Sequence, residues 1–259
     1  MILLFSGTGN TRYAAEMLSA HTGDKIVDIA KVSPTEISEV GERLILMFPI
    51  YAWGPVPMMI DYIDSLPEKV IERINSQNIP VSVVCSCGDE TGKGVEIMRK
   101  TLESRGVNLA GAWSLIMPNV YVLLPGFDVD KKELSERKLD SVVGRIREIS
   151  KDILNNRYFF DVNEGSFASL KTGVVYPLFK RWGINYKKWR WTKECIACGR
   201  CAAACPVKNI AMKGGHPEWG TNCKSCLACY GVCPTHAVAY GRMTEFKGQY
   251  YCRRRGSSN

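Results

Sequence analysis

Short apolar runs alternate with amphipathic stretches through the first 156 residues. The runs at 2–5, 25–29, 43–48, 80–87 and 107–117 have the length and near-continuous hydrophobicity of strands buried on both faces. Between and after them, 11–21, 56–65, 92–105 and 130–155 repeat apolar residues at helical spacing, and the last is charged on its outer side. Such alternation predicts an α/β unit, a parallel five-stranded sheet with helices on both faces. The pattern breaks after Asn156. Between Arg157 and Tyr186 lies a stretch too long for a simple connection and too aromatic for a disordered linker. Leu170, Val174, Leu178 and Trp182 recur there at helical spacing around Pro177. The reading is three parts: 1–156, a partly helical basic connector at 157–186, and a second small domain at 187–259.

Charge sharpens this division. Residues 1–156 hold 17 Lys and Arg against 21 Asp and Glu, whereas 157–259 hold 17 against 5, so the chain's +8 is a −4 front and a +12 rear. A strongly basic rear half predicts a partner with an acidic docking surface, or an adjoining surface of the chain that is negative. Tyr186, Trp189 and Trp191 sit among Lys187, Lys188 and Arg190, a mixture that can bind nucleic acid by stacking and charge. Aromatics flanking a small domain more often dock it on its neighbour, and no nucleic acid is expected. No apolar run approaches a membrane span. Met1–Phe5 lacks the basic start and length of a signal peptide, which predicts a cytoplasmic chain with reduced thiols.

Two groups of residues promise chemistry. The first follows strand 2–5, where Ser6-Gly7-Thr8-Gly9-Asn10-Thr11 leads straight into a helix. Backbone amides, three hydroxyls and a helix N-terminus aimed at one point suit a phosphate monoester. A polar turn capping a helix would need one hydroxyl rather than three in alternation. No lysine follows the glycines as in a Walker loop, and the third spaced glycine of a dinucleotide site is missing. Two later strands end in Pro49-Ile50-Tyr51-Ala52-Trp53-Gly54 and in Cys85-Ser86-Cys87-Gly88-Asp89, at the carboxyl end where ligands sit in open α/β sheets.

These three loops resemble those of flavodoxins. The resemblance implies a doubly wound sheet of order 2-1-3-4-5 and bound FMN. It implies a phosphate on Ser6–Thr11, and an isoalloxazine ring between Pro49–Gly54 and Ser86–Asp89 with Tyr51 or Trp53 stacked on it. Many flavodoxins carry a second aromatic in the later loop, where this chain reads Glu90-Thr91-Gly92-Lys93-Gly94. One ring face is therefore expected to be open, with Lys93 near it or simply solvated. Cys85 and Cys87 are expected to be structural, and no residue is assigned a catalytic role.

The second group is a repeat. Cys195-x2-Cys198-x2-Cys201-x3-Cys205-Pro206 returns 28 residues later as Cys223-x2-Cys226-x2-Cys229-x3-Cys233-Pro234. A disulfide framework would need an exported chain, and zinc would use paired cysteines or histidines, neither of which explains the doubled spacing. It is the signature of two 4Fe-4S clusters. The segment resembles the bacterial two-cluster ferredoxins, in which each trailing cysteine serves the other cluster. That resemblance implies Cys195, Cys198, Cys201 and Cys233 on one cluster, and Cys223, Cys226, Cys229 and Cys205 on the other, in a small α+β domain. Simple ferredoxins tend to be acidic, and this one is basic. Cys252 precedes Arg253-Arg254-Arg255 in what reads as a frayed tail.

Nearly the whole chain thus resembles flavodoxin-ferredoxin fusion proteins. The expected function is an electron relay between two clusters and FMN in one chain, joining one-electron and two-electron steps. Two alternatives stand beside it: an FMN-dependent reductase of a small-molecule acceptor near Asn119, Tyr121 and Phe127, and a cluster-stapled interaction module. The terminal donor and acceptor and the oligomeric state are not encoded in any motif.

Overall fold

The computed structural model of the protein describes residues 1–183 and 185–256. Residue 184 of the expected connector and 257–259 of the expected tail lie outside them. The front half is built on β1 (Ile2–Leu4), β2 (Ile26–Asp28), β3 (Leu44–Tyr51), β4 (Gly54–Pro55), β5 (Val81–Cys87), β6 (Leu109–Ile116) and β7 (Phe160–Asp161). They run in the order β2-β1-β3-β5-β6-β7, with β4 turned back antiparallel on β3. Setting the two-residue β4 aside, the five expected strands are parallel and ordered 2-1-3-4-5.

Side chains on alternate faces of each strand feed separate cores. Ile2, Leu4, Ile45, Met47, Val84 and Trp113 point to one side, under α1 (Asn10–Thr22) and a long helix at Lys132–Leu154. Leu3, Phe5, Leu46, Phe48, Val83 and Cys85 point to the other, under α2 (Pro57–Asp64), α3 (Glu68–Ser76) and α4 (Gly94–Ser104). The long helix is α5. It lays Leu139, Val142, Ile146, Ile149 and Ile153 on the sheet and keeps its charges outside.

Strands β4 and β7 and helix α3 were not anticipated. Helix α3 is nine residues long, and its start carries an ordinary signal, Pro67 followed by Glu68, with Val70, Ile71 and Ile74 as the buried stripe. Strand β7 is too short to show any period. It pairs with Ala112 and Trp113 of β6, so the front of the connector extends the sheet. The connector is then tied further to the flavodoxin-like unit: Asn163 and Glu164 carbonyls accept from Thr91 and Gly92 amides at 2.9 and 3.1 Å. A helical run follows from Ala168 to Gly183, with wide i→i+5 turns at Lys171–Val175 and Phe179–Gly183. Ala168, Thr172, Tyr176 and Phe179 form its buried side.

The small rear unit pairs β8 (Trp189–Trp191) with β11 (Val238–Tyr240) and β9 (Ile210–Lys213) with β10 (His216–Trp219), both antiparallel. Short helices at Arg200–Ala204 and Ala228–Gly231 repeat at the cysteine offset. The backbone repeats as well: Ala197, Gly199 and Lys208 are left-handed, and so are Ser225, Leu227 and His236, each 28 residues on. Val122 and Leu123, from the loop after β6, are part of this unit's core beside Trp189, Tyr230 and Tyr240.

The basic end is not frayed. The Cys252 amide donates to the Thr8 carbonyl at 2.8 Å, the Tyr250 hydroxyl to Asn10 Oδ1 at 2.8 Å, and the Gly256 amide to Glu16 at 3.0 Å. Arg254 meets Glu136 and, at 2.7 Å, Asp140. Opposite charge on α1 and α5 captures the tail, which the composition of the tail alone does not reveal. Among the described residues no helix is long and apolar enough to cross a membrane.

Because Ile149 is fully buried between α5 and the sheet, Ile149→Ala is expected to cost about 2–5 kcal/mol. Leu154→Ala, at a half-exposed position on the same helix, is expected to stay within about 0.5 kcal/mol. Urea denaturation of the two holo-variants, followed by far-UV circular dichroism, measures the contrast.

Candidate functional site

The carboxyl ends of β1, β3, β5 and β6 open on one cleft. Its walls are Ser6, Gly7, Thr8, Asn10 and Thr11, then Pro49–Ala52, Ser86–Gly88 and Met117–Tyr121. Gly9, at φ 94°, turns the chain into α1, so the helix N-terminus faces the loop. The Arg12 amide donates to the Ser6 hydroxyl at 3.2 Å, and the Thr11 and Ser86 hydroxyls share a bond of 2.8 Å that ties the first loop to the third. These are donors of the kind a phosphate needs, at a helix terminus, between two loops fixed to each other.

Tyr51 stands on the cleft wall. Its ring meets Phe179 edge-on at 6.0 Å, and Phe179 meets Tyr121 edge-on at 6.4 Å. Burial, reinforced by the thiols of Cys226 and Cys223, holds the Tyr51 phenol well above its ordinary pKa. The loop that presents it places both Ala52 and Trp53 in the left-handed region, a strain typical of ligand-holding turns. Trp53 does not line the cleft. Its Nε1 donates to Glu90 at 2.6 Å, Lys171 lies 5.4 Å from its ring centre, and its carbonyl accepts from the Thr172 hydroxyl. Burial works against the Glu90 carboxylate, but hydrogen bonds from Lys171 and Trp53 outweigh it and hold the group below its usual pKa.

Of the other expected residues, Gly9, Gly54 and Asp89 also fall outside the cleft walls. Gly54 lies beneath the Tyr176 ring, and Asp89 projects to solvent with Lys138 at 3.3 Å. Lys93 pairs with Glu164 instead of approaching the cleft. Asn119 and Tyr121 line it, whereas Phe127 packs behind Tyr121 at 5.9 Å. Cys85 is buried with its thiol pushed up to about 12 by desolvation, and Cys87, on the wall, is likewise raised by burial.

The open face expected over the cleft is covered. Phe179 from the connector and Ser225, Cys226 and Leu227 from the second cysteine motif complete the wall. Contact is close enough that a Cβ on Gly7 would stand 2.7 Å from the Cys226 Cβ and closer still to its carbonyl oxygen. On the outer side, a Cβ on Gly9 would meet the Cys252 carbonyl at 2.6 Å. The first loop is thus held between a cluster motif and the returning tail, and sequence spacing offers no trace of either contact. Lys138 was also missed, because on an amphipathic helix it reads as a solvated charge. Its Nζ bonds the Gly88 carbonyl at 2.7 Å and Asp130 at 2.8 Å, bracing the third loop against the loop after β6.

The eight motif cysteines line two small cavities. One has Cys195, Cys198, Cys201 and Cys233 on its wall, the other Cys205, Cys223, Cys226 and Cys229. The trailing cysteines are therefore exchanged between the repeats. Among the described residues no group of these side chains closes tightly enough to grip a single metal ion; the fours gather around a space. In both halves the trailing sulfur accepts a backbone amide at 3.2 Å, from Asn209 to Cys205 and from Ala237 to Cys233. The indole N–H groups of Trp189 and Trp219 are buried without a hydrogen-bond partner on the wall of the second cavity, where a sulfur-rich cluster would offer acceptors. Burial raises the thiols of Cys223 and Cys229. All eleven cysteines are free.

Comparison with known proteins finds similarity in both parts of the chain. Residues 187–234 match the family described as 4Fe-4S dicluster domain. Two flavodoxins of Buchnera aphidicola are similar to the front part. The one from subspecies Acyrthosiphon pisum is 25% identical over 119 residues, 44% of this chain and 68% of its own. The one from subspecies Baizongia pistaciae is 26% identical over 120 residues, 44% and 67% respectively. Among solved structures, rubredoxin oxygen:oxidoreductase from Desulfovibrio gigas gives a TM-score of 0.35 at 16% identity, covering 59% of this chain and 36% of that one. Two-electron reduced Megasphaera elsdenii flavodoxin gives 0.30 at 16%, covering 56% and 97%. A flavodoxin-like sheet with its ligand cleft, joined to a dicluster unit, makes the chain a flavodoxin-ferredoxin fusion, an electron-transfer protein of FMN and 4Fe-4S clusters.

Proposed function

We propose that the chain relays electrons internally between the two clusters and FMN. The observation that carries this reading is the shared wall: Cys226 and Leu227 border both the cleft and the second cysteine cavity. Bound clusters supply one-electron steps and FMN one- or two-electron steps. In this proposal Ser6–Thr11 hold the phosphate, Tyr51 and Ser86–Gly88 hold the ring, and Phe179 and the Cys226 loop exclude water above it. Cys205, Cys223, Cys226 and Cys229 hold the near cluster; Cys195, Cys198, Cys201 and Cys233 hold the far one.

Cys198 is exposed and the far cavity borders none of the cleft residues. That arrangement supports electrons arriving at the far cluster, from a protein with an acidic docking surface, and collecting on the flavin. The domain boundaries go with the proposal: 1–156 and 187–259 as the cofactor units, and 157–186 as the segment that roofs one with the other. The same roof counts against a small-molecule acceptor over the ring.

An anaerobic reductive titration followed by absorbance and EPR tests the relay. About eight irons per chain are expected, with electrons redistributing between clusters and flavin at a rate independent of protein concentration. Exchange that depends on collision between molecules refutes the reading. The exchanged ligands make a sharper test. Cys205→Ala should halve the iron, remove the near cluster and slow flavin reduction, whereas Cys233→Ala should halve the iron and leave the near cluster's EPR signal intact.

Gly7→Ala should separate the first loop from the Cys226 turn. The expected result is a loss of FMN affinity of about tenfold or more with iron content retained, corresponding to a steric cost of about 1.4 kcal/mol or more. Flavin-to-protein and iron-to-protein ratios after dialysis report both quantities.

A further inference from the structure

The helical run Ala168–Gly183 has two apolar sides. The inward one is Ala168, Thr172, Tyr176 and Phe179. The outward one is Phe167, Leu170, Val174, Leu178 and Trp182, which are 77, 64, 49, 44 and 59% exposed. Their spacing is three and then four residues. A regular α-helix overshoots one turn every four residues, so a four-residue repeat drifts around it. The two wide i→i+5 turns undershoot instead. Alternating the two keeps the outward residues in one ridge. A Cβ added to Gly173, beside the ridge, would touch nothing within 4 Å.

Along the chain the ridge is flanked by cations, of which Lys171 is paired with Glu90 and Arg190 with Glu245. From Gly165 to Lys193 the chain holds seven Lys and Arg and no Asp or Glu. Arg181 is stacked 4.9 Å over the Trp182 ring, and Lys180 4.9 Å over Tyr176, so cations stand at the rim of the apolar surface. Aromatics end the ridge on both sides and aliphatics fill its middle. The sixteen residues of helix reach only about 24 Å, short of a hydrocarbon core of about 30 Å, and Lys171, Pro177 and Lys180 interrupt them. The ridge can lie in a membrane surface but not span it.

We infer that this ridge seats the protein on an anionic lipid surface. Apolar side chains enter the headgroup boundary while the surrounding cations meet lipid phosphates. The ridge is aromatic-ended, with Lys180 and Arg181 at its rim, as an interfacial helix requires. Its opposite side bonds the flavin loops, through Thr172 to the Trp53 carbonyl and Tyr176 to the Pro55 carbonyl, both at 2.7 Å. The cleft then sits one helix above the lipid.

Flotation of the full-length holoprotein with phosphatidylglycerol–phosphatidylcholine vesicles, and with phosphatidylcholine alone, tests this. Binding to the anionic vesicles is expected, weakened by salt and by neutral lipid. The triple variant Leu170→Ser, Leu178→Ser, Trp182→Ser should weaken it by roughly a hundredfold or more, with FMN and iron content unchanged. These side chains are outside every core, so folding is preserved. No flotation of the wild type overturns the inference. So does undiminished flotation of the variant, which would make the attraction purely ionic. Sedimentation showing a dimer in the wild type and a monomer in the variant, without vesicle binding, assigns the ridge to a second copy of the chain and overturns it equally.

Discussion

The contact between Gly7 and the Cys226 turn governs the rest of the molecule. Only glycine lets the cluster motif rest on the first loop, and the two cofactor sites then share a wall. Around this point the structure places everything that would otherwise leave the sites independent. The connector adds a strand to the sheet and Phe179 to the cleft, while Val122 and Leu123 from the front half enter the rear core. Two tethered modules would keep their hydrophobic faces to themselves. Here each contributes to the other's interior, and that interpenetration fixes the separation of the redox sites as firmly as a core fixes its side chains.

What could be read from the chain followed from short-range rules. The alternation of Ile2 and Leu4 with Leu3 and Phe5 announced a sheet buried on both faces. The cysteine spacing announced two clusters, and the left-handed Ala197 and Ser225 repeat that spacing in the backbone. Hydroxyls alternating with glycines marked a loop that the structure puts at a helix terminus. Each signal lies within a dozen residues, where local geometry is decided by residue type.

What could not be read depends on pairs distant in sequence. Trp53 looked as fit to stack as Tyr51, and only Glu90 and Lys171, 37 and 81 residues apart from their partners, turn it away. Lys138 became a brace because Gly88 and Asp130 converge on it. The tail looked frayed because its anchors, Glu16, Glu136 and Asp140, belong to other elements. Pro177 lies inside the helical run, between its two wide turns, and the run continues through it. Propensity describes what a segment prefers alone, and these segments are not alone.

The tail has a consequence for how the protein is made. Tyr250 and Gly256 anchor to Asn10 and Glu16, each across 240 residues of chain. During synthesis the first loop leaves the ribosome long before the residues that clamp it, and before the cysteine turn that roofs it. The first loop stays without these braces until residues 250–256 have emerged. The wall of the cleft is therefore completed only when residues separated by most of the chain have come together.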